Sequence, residues 1–188
     1  TNMIKHIFTS ESVSDGHPDN VADQISDALV DAGLKNGDTT TRLAVETLVT
    51  TNMVTLAGEV KNFNVSKDEV KEIVRNKVKE IGYEQGGFHW DTLRIYNEIH
   101  AQSGDIALGT DDFGAGDQGI MFGYATDETE ECMPFSHLMA TKLGARLTEV
   151  RKTGILPWVR PDGKTQVTCV YRETDGVTEP LSVHTVLI

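Results

Sequence analysis

Two hydrophobic periods alternate along this chain, and the switches between them outline its elements. Residues 4–8 read as a short strand. From Pro18 to about Leu34, Val21, Ala22, Ile25, Ala28, Leu29 and Ala32 fall on one helical stripe, and Gly33, Asn36, Gly37 and Asp38 close the segment. Residues 42–50 and 53–60 are β-rich runs joined by Thr51-Asn52, the spacing of a tight hairpin. Ser66 and Glu69 form a capping box ahead of a second stripe, Val70, Ile73, Val74, Val78 and Ile81, ending near Gly82. The other face of that helix alternates Lys and Glu, so it covers the fold without chemistry of its own. Residues 92–99 read as a strand. Pro134 to about Lys152 reads as a third helix carrying Leu138, Met139, Leu143, Leu147 and Val150, stopped by Gly154. Residues 165–171 and about 181–188 read as antiparallel strands with a turn near Thr174-Asp175-Gly176.

The order helix, strand, strand therefore occurs twice, over 18–60 and 134–188. Runs of strands with helices to one side predict an α+β fold with mostly antiparallel sheet. The expected division is an α+β domain over 1–130 and the start of a second, incomplete one over 131–188. The last residues, Leu181 to Ile188, are apolar and strand-like, which predicts a segment that is cut or covered by something else.

Charge narrows the function. Twenty-nine acids against 17 Lys and Arg give a net charge of -12, which argues against a nucleic-acid surface. Any phosphate site must concentrate its few cations or import metal ions. Cys132 and Cys169 supply neither a disulfide framework nor a zinc pattern, and we read both as reduced thiols in the cytoplasm. No apolar run reaches the length of a membrane span, and no signal peptide is visible.

Candidate chemistry gathers at turns and strand edges. Pro18 has a fixed φ and no N–H, so it suits the first helical position. His17 then stands at the helix start with Asp19 in the first turn, where the helix dipole favours an anion. Asp19, Asp23, Asp27 and Asp31 recur every four residues on the flanking stripe, which for the last three reads as a solvated acidic face. Glu46 interrupts one strand and Glu59 ends the next. Residues 100–119, rich in Gly and Asp, read as a connector or, at this length, a mobile functional loop, but no Gly-Lys-Ser/Thr follows to make a Walker phosphate loop. Two prolines and Gly163 set a bend that delivers Asp162 and Lys164 to the start of a strand. Together with Gln102 and Asp117, these residues suit a metal-bound phosphate beside a zwitterionic or cationic substrate, because Mg²⁺ bridges carboxylate to phosphate.

The stretches FTSESVSDGHPDNVADQISDA, VETLVTTNMVTLAGEV, AQSGDIALG, GAGDQGIMFGYATDETEECMP and LPWVRPDGKTQVT occur in order along the chain. In them the sequence resembles the S-adenosylmethionine synthetases (methionine adenosyltransferases). The resemblance implies an enzyme that joins ATP to L-methionine. The methionine sulfur attacks the ribose 5′ carbon, and the triphosphate leaves and is hydrolysed. It implies Mg²⁺ and K⁺, three related α+β domains, and oligomers with active sites at subunit interfaces. By motif match, His17 is expected beside the ribose and triphosphate and, with Lys164, to be catalytic. Asp162, Gly163 and Lys164 match an ATP-binding segment, Asp19 a Mg²⁺ ligand and Glu46 a K⁺-site carboxylate. Glu59, Gln102 and Asp117 match methionine-binding positions, and residues 102–112 a gating loop. Asn20 stands where the family usually has lysine, Leu108 where it has glutamine and Thr110 where it has valine. Family members also carry glycine-rich, lysine- and arginine-containing segments that grip the polyphosphate and do not occur in these 188 residues. The expected arrangement is thus the amino-terminal half of a synthetase completed by a second polypeptide. The alternatives are a non-catalytic module that pairs with a synthetase, and a self-sufficient minimal enzyme.

Overall fold

A computed structural model describes residues 3–102 and 118–188. The described chain is α+β, with three helices, and forms two compact units. One comprises residues 1–17 and 122–188, the other residues 18–121.

The second of these units begins with helix α1 (Pro18–Asn36), which buries Val21, Ile25, Leu29 and Gly33. Its acidic stripe, Asp19, Asp23, Asp27 and Asp31, is exposed, as expected of a solvated face. Strands β2 (Arg42–Thr50) and β3 (Met53–Lys61) form the hairpin that the sequence outlines. Asn52 takes a left-handed conformation at the turn, φ 49°, which Asn tolerates better than most residues. Helix α2 (Lys67–Ile81) starts at the expected capping box. The Ser66 side chain accepts from the Glu69 N–H, and the Glu69 carboxylate accepts from the Ser66 N–H. After a two-residue hairpin, β4 (Glu84–Gln85) and β5 (Phe88–His89), strand β6 (Arg94–Ala101) pairs with β3 in parallel. The sheet order is β2-β3-β6. The two helices pack over one face, on a core of Val45, Val54, Leu56, Val70, Val74, Val78 and Leu93. Leu48 and Tyr96 stand on the opposite, open face.

The other unit is a sheet of order β1-β7-β8 with helix α3 (Phe135–Lys152) against it. Strand β1 (Met3–Val13) is longer than the expected 4–8 and runs antiparallel to β7 (Lys164–Thr174), pairing Met3 with Thr174 and Val13 with Lys164. Strand β8 (Val177–Leu187) returns along β7 and forms an edge of the sheet. The core is small: Ala140, Val167, Cys169 and Tyr171, flanked by Phe135, Met139 and Leu143.

The compact units are not both contiguous in the sequence. The first strand finds its hydrogen-bonding partner more than 150 residues away, so the amino-terminal segment belongs with α3, β7 and β8. Pairing is mostly antiparallel, as expected; β3 and β6 run parallel across a helical connection. The expected gating loop, apart from Gln102, lies outside the described residues, as do Leu108, Thr110 and Asp117. Residues 120–125 are apolar but form no regular element, and Ile120, Met121, Phe122 and Tyr124 are exposed.

Candidate functional site

The expected site residues fall into two groups, one on each unit. The first is built where the end of β1 meets the start of β7. Ser14, 4% exposed, holds the two segments together: its N–H donates to Gly163 O at 2.8 Å and its hydroxyl to Pro161 O at 2.7 Å. Gly16 is required by this close approach, because a Cβ there would lie 2.4 Å from Pro161. The turn Asp15-Gly16-His17 is thereby docked on the segment Pro161–Lys164. His17 is half-buried, its N–H donating to Ser14 O at 3.1 Å. Asp162 and Lys164 are exposed, and Lys164 is the first residue of β7. The sequence places His17, Asp162, Gly163 and Lys164 in one site. The register Val13 to Lys164 and the Ser14–Gly163 bond bring the turn leading to His17 onto the segment that carries Asp162, Gly163 and Lys164.

Asp15 locks this arrangement and is a residue that sequence reasoning missed. Its carboxylate accepts from Arg151 at 2.9 and 3.1 Å and from Thr148 at 3.0 Å, and pairs with Lys152 at 2.9 Å. Burial acts to raise its pKa. The Lys152 hydrogen bond, the Arg151 and Lys152 charges and the Thr148 hydroxyl outweigh that, so the carboxyl sits below the ordinary aspartate range. The signal in the sequence was basic residues in the last turn of a helix, which also suit its dipole.

The second group lies on the β2-β3-β6 sheet. Glu46, Glu59 and Gln102 line one open cleft of about 460 Å³, together with Arg42, Leu43, Ala44 and Gly58. Register explains the convergence: Glu59 faces Ala44 on β2 and His100 on β6, while Glu46 faces Ala57. Gln102 follows β6, its N–H donating to Val60 O at 2.9 Å. Its side-chain Oε1 is buried with no hydrogen-bond partner among the described residues. Glu59 Oε1 is 3.5 Å from His100 Nε2. Gly58 takes φ 140°, and a Cβ there would lie 1.9 Å from Ala44 O, so the cleft wall needs glycine. Arg42 and Gly58 were not legible as cleft residues, because their placement depends on strand register. Two carboxylates with Arg42 and an amide present both charges needed for a zwitterion.

Residues 5–104 match the family model described as S-adenosylmethionine synthetase, N-terminal domain. Residues 112–188 match that of the S-adenosylmethionine synthetase central domain. The chain belongs to the S-adenosylmethionine synthetase family. This is the family of the methionine adenosyltransferases, and it accounts for the α+β units and for the conjunction of GHPD, GAGDQG and PDGK motifs in one sequence.

Asp19 lies in the first turn of α1 and is exposed. Among the described residues no three His, Cys, Asp or Glu side chains cluster closely enough to hold a metal ion by themselves. A lone exposed carboxylate such as that of Asp19 suits Mg²⁺ chemically only in company with phosphate oxygens and water. No described helix is long and apolar enough to cross a membrane.

Proposed function

We propose that this chain is the amino-terminal part of a synthetase that joins ATP to L-methionine, yielding S-adenosylmethionine, phosphate and diphosphate. The observation that carries the reading is the cleft in which Glu59, Glu46 and Gln102 meet, within a chain matching the family from residue 5 to 188. Glu59 takes the methionine ammonium, and the Gln102 amide takes the carboxylate end. Asp117, outside the described residues, contributes to the same pocket, and residues 102–112 gate it. His17 donates to the oxygen that leaves the ribose carbon, stabilising charge as it develops. Lys164 pairs with a phosphate, and Asp162 and Gly163 shape its approach. Asp19 would hold Mg²⁺ and Glu46 K⁺; when bound, these ions neutralise polyphosphate charge and order the cleft.

A second polypeptide completes the polyphosphate site in an oligomer with interface active sites. Net charge supports this: triphosphate brings about four further negative charges to a chain already at -12, and Asn20 supplies no cation after GHPD. The edge strand β8 supports it too, leaving Val183, Val186 and Leu187 exposed beside an open row of backbone groups. Two free thiols, Cys132 and Cys169, fit a cytoplasmic setting.

The test is a native mass of the purified complex, then a product assay with ATP, methionine and Mg²⁺. His17→Ala and Lys164→Ala are each expected to lower product formation at least tenfold with the fold intact. Unchanged turnover in either variant removes it from the site. Calorimetric binding of methionine or ATP without turnover, whatever partner is added, would make the chain a non-catalytic module. Turnover by a homo-oligomer of the chain would remove the second polypeptide.

A further inference from the structure

A second cleft, of about 230 Å³, lies on the β1-β7-β8 unit and contains none of the residues assigned above. Its floor is aromatic. His6 on β1 and Tyr171 on β7 are register partners, and their rings lie nearly parallel, centroids 5.7 Å apart. Phe8, two residues along β1, extends the floor and is 55% exposed; Tyr124 adds a further exposed ring. At one side stands Glu128. Its Oε2 accepts from the Phe135 N–H at 3.0 Å and its Oε1 from the Thr126 hydroxyl at 3.2 Å. Each carboxylate oxygen can accept more than one bond, so acceptor capacity remains. Its charge is felt locally, since after burial it is the next cause that raises the Cys169 thiol pKa. Among the described residues no Lys or Arg lines the cleft.

We propose that this cleft binds a small organic cation with an apolar body, such as a quaternary ammonium or sulfonium group. Aromatic faces carry a negative quadrupole and attract a cation that is weakly hydrated, and the Glu128 carboxylate compensates its charge. A strongly hydrated metal ion needs several oxygen ligands, and ring faces with one carboxylate do not supply them. An anion meets a carboxylate and a chain of net charge -12. A neutral apolar ligand would leave the carboxylate unanswered. The proposal stands apart from the catalytic reading, so either can fail alone.

The experiment is a titration of the full chain, followed through the ring resonances of His6, Phe8 and Tyr171. The probe is tetramethylammonium chloride, with sodium chloride at equal ionic strength as the blank. Neopentyl alcohol serves as the neutral probe of similar bulk. The expected result is saturable shifts with tetramethylammonium, at least tenfold tighter than with neopentyl alcohol. Glu128→Gln keeps an acceptor for the Phe135 N–H and is expected to weaken binding at least fivefold. Phe8→Ala and Tyr124→Ala, at exposed positions, test the aromatic contribution without disturbing the core, and each is expected to weaken binding at least threefold. The proposal is overturned by shifts no larger than the sodium blank. Equal affinity for the neutral probe overturns it as well. So does undiminished binding in the folded Glu128→Gln chain or, should that variant not fold, in both aromatic variants.

Discussion

Arg151 donates to both carboxylate oxygens of Asp15, at 2.9 and 3.1 Å, and so ties the last turn of α3 to the turn that presents His17. Arg151 keeps only 10% of its side chain exposed, and Asp15 20%. Breaking a pair this enclosed leaves a guanidinium without its counter-charge. Asp15→Asn is therefore expected to destabilise the β1-β7-β8 unit by about 2–3 kcal/mol, the order typical of lost charged hydrogen bonds.

The pH dependence of that pair has a definite sign. The folded-state pKa of Asp15 is depressed, so its stabilisation is present above the unfolded pKa and disappears as pH falls through the folded value. The unfolded value is about 3.9. The stability difference between the native chain and Asp15→Asn should be flat above about pH 5 and shrink below about pH 4. Denaturant titrations at a series of pH values measure it. A difference that grows on acidification would contradict the lowered pKa.

Gly58→Ala tests the wall of the cleft we propose for methionine. The substitution forces a Cβ to within 1.9 Å of Ala44 O at a φ of 140°, where side chains are strained. The expected cost is about 1–3 kcal/mol from backbone strain alone. A thermal melt should register the loss, and methionine binding should weaken with it, because Ala44 and Gly58 both line the cleft.

Local elements were legible in the sequence and their assembly was not. The α1 stripe, the β2-β3 hairpin and the Ser66–Glu69 box depend on contacts within about twenty residues, where period and capping chemistry decide the outcome. β1 was read short because Thr9, Ser10, Glu11 and Ser12 look like a polar loop. They become strand only because β7 supplies hydrogen bonds from residue 164 onward. The parallel β3-β6 pair likewise leaves no local trace. For the site, His17, Glu59 and Lys164 were legible through motifs, as chemistry-bearing residues at strand and helix ends. Asp15 and His100 were not, since each takes its partner from another element.

Glu59→Gln separates charge from shape in the cleft proposed to take methionine. The amide keeps the size of the side chain but cannot balance an ammonium. Charge-assisted hydrogen bonds contribute about 1.5–3 kcal/mol, so methionine affinity should fall about tenfold to a hundredfold. ATP binding should stay within about twofold if the two substrates are read by separate groups. Calorimetry with each substrate in turn checks both. An equal loss for ATP would place Glu59 in a different role.

Ser14→Ala asks whether the docking of the Asp15-Gly16-His17 turn on the 161–164 segment is needed beyond its contribution to stability. The substitution removes the 2.7 Å hydroxyl bond to Pro161 O and leaves the backbone bond to Gly163 O in place. A buried carbonyl without its donor costs about 1–3 kcal/mol, so the melting temperature should drop by several degrees. The same bond fixes His17 relative to Lys164, because the turn carrying one is hooked to the loop preceding the other. Misplacement of catalytic groups by about 1 Å can cost about a hundredfold in rate. In the assembled enzyme kcat should therefore fall more than tenfold, while the KM for methionine, whose cleft lies on the β2-β3-β6 sheet, changes little. Steady-state kinetics below the melting transition measures the split. A raised methionine KM at unchanged kcat would show that Ser14 acts on binding and not on the alignment of His17 with Lys164.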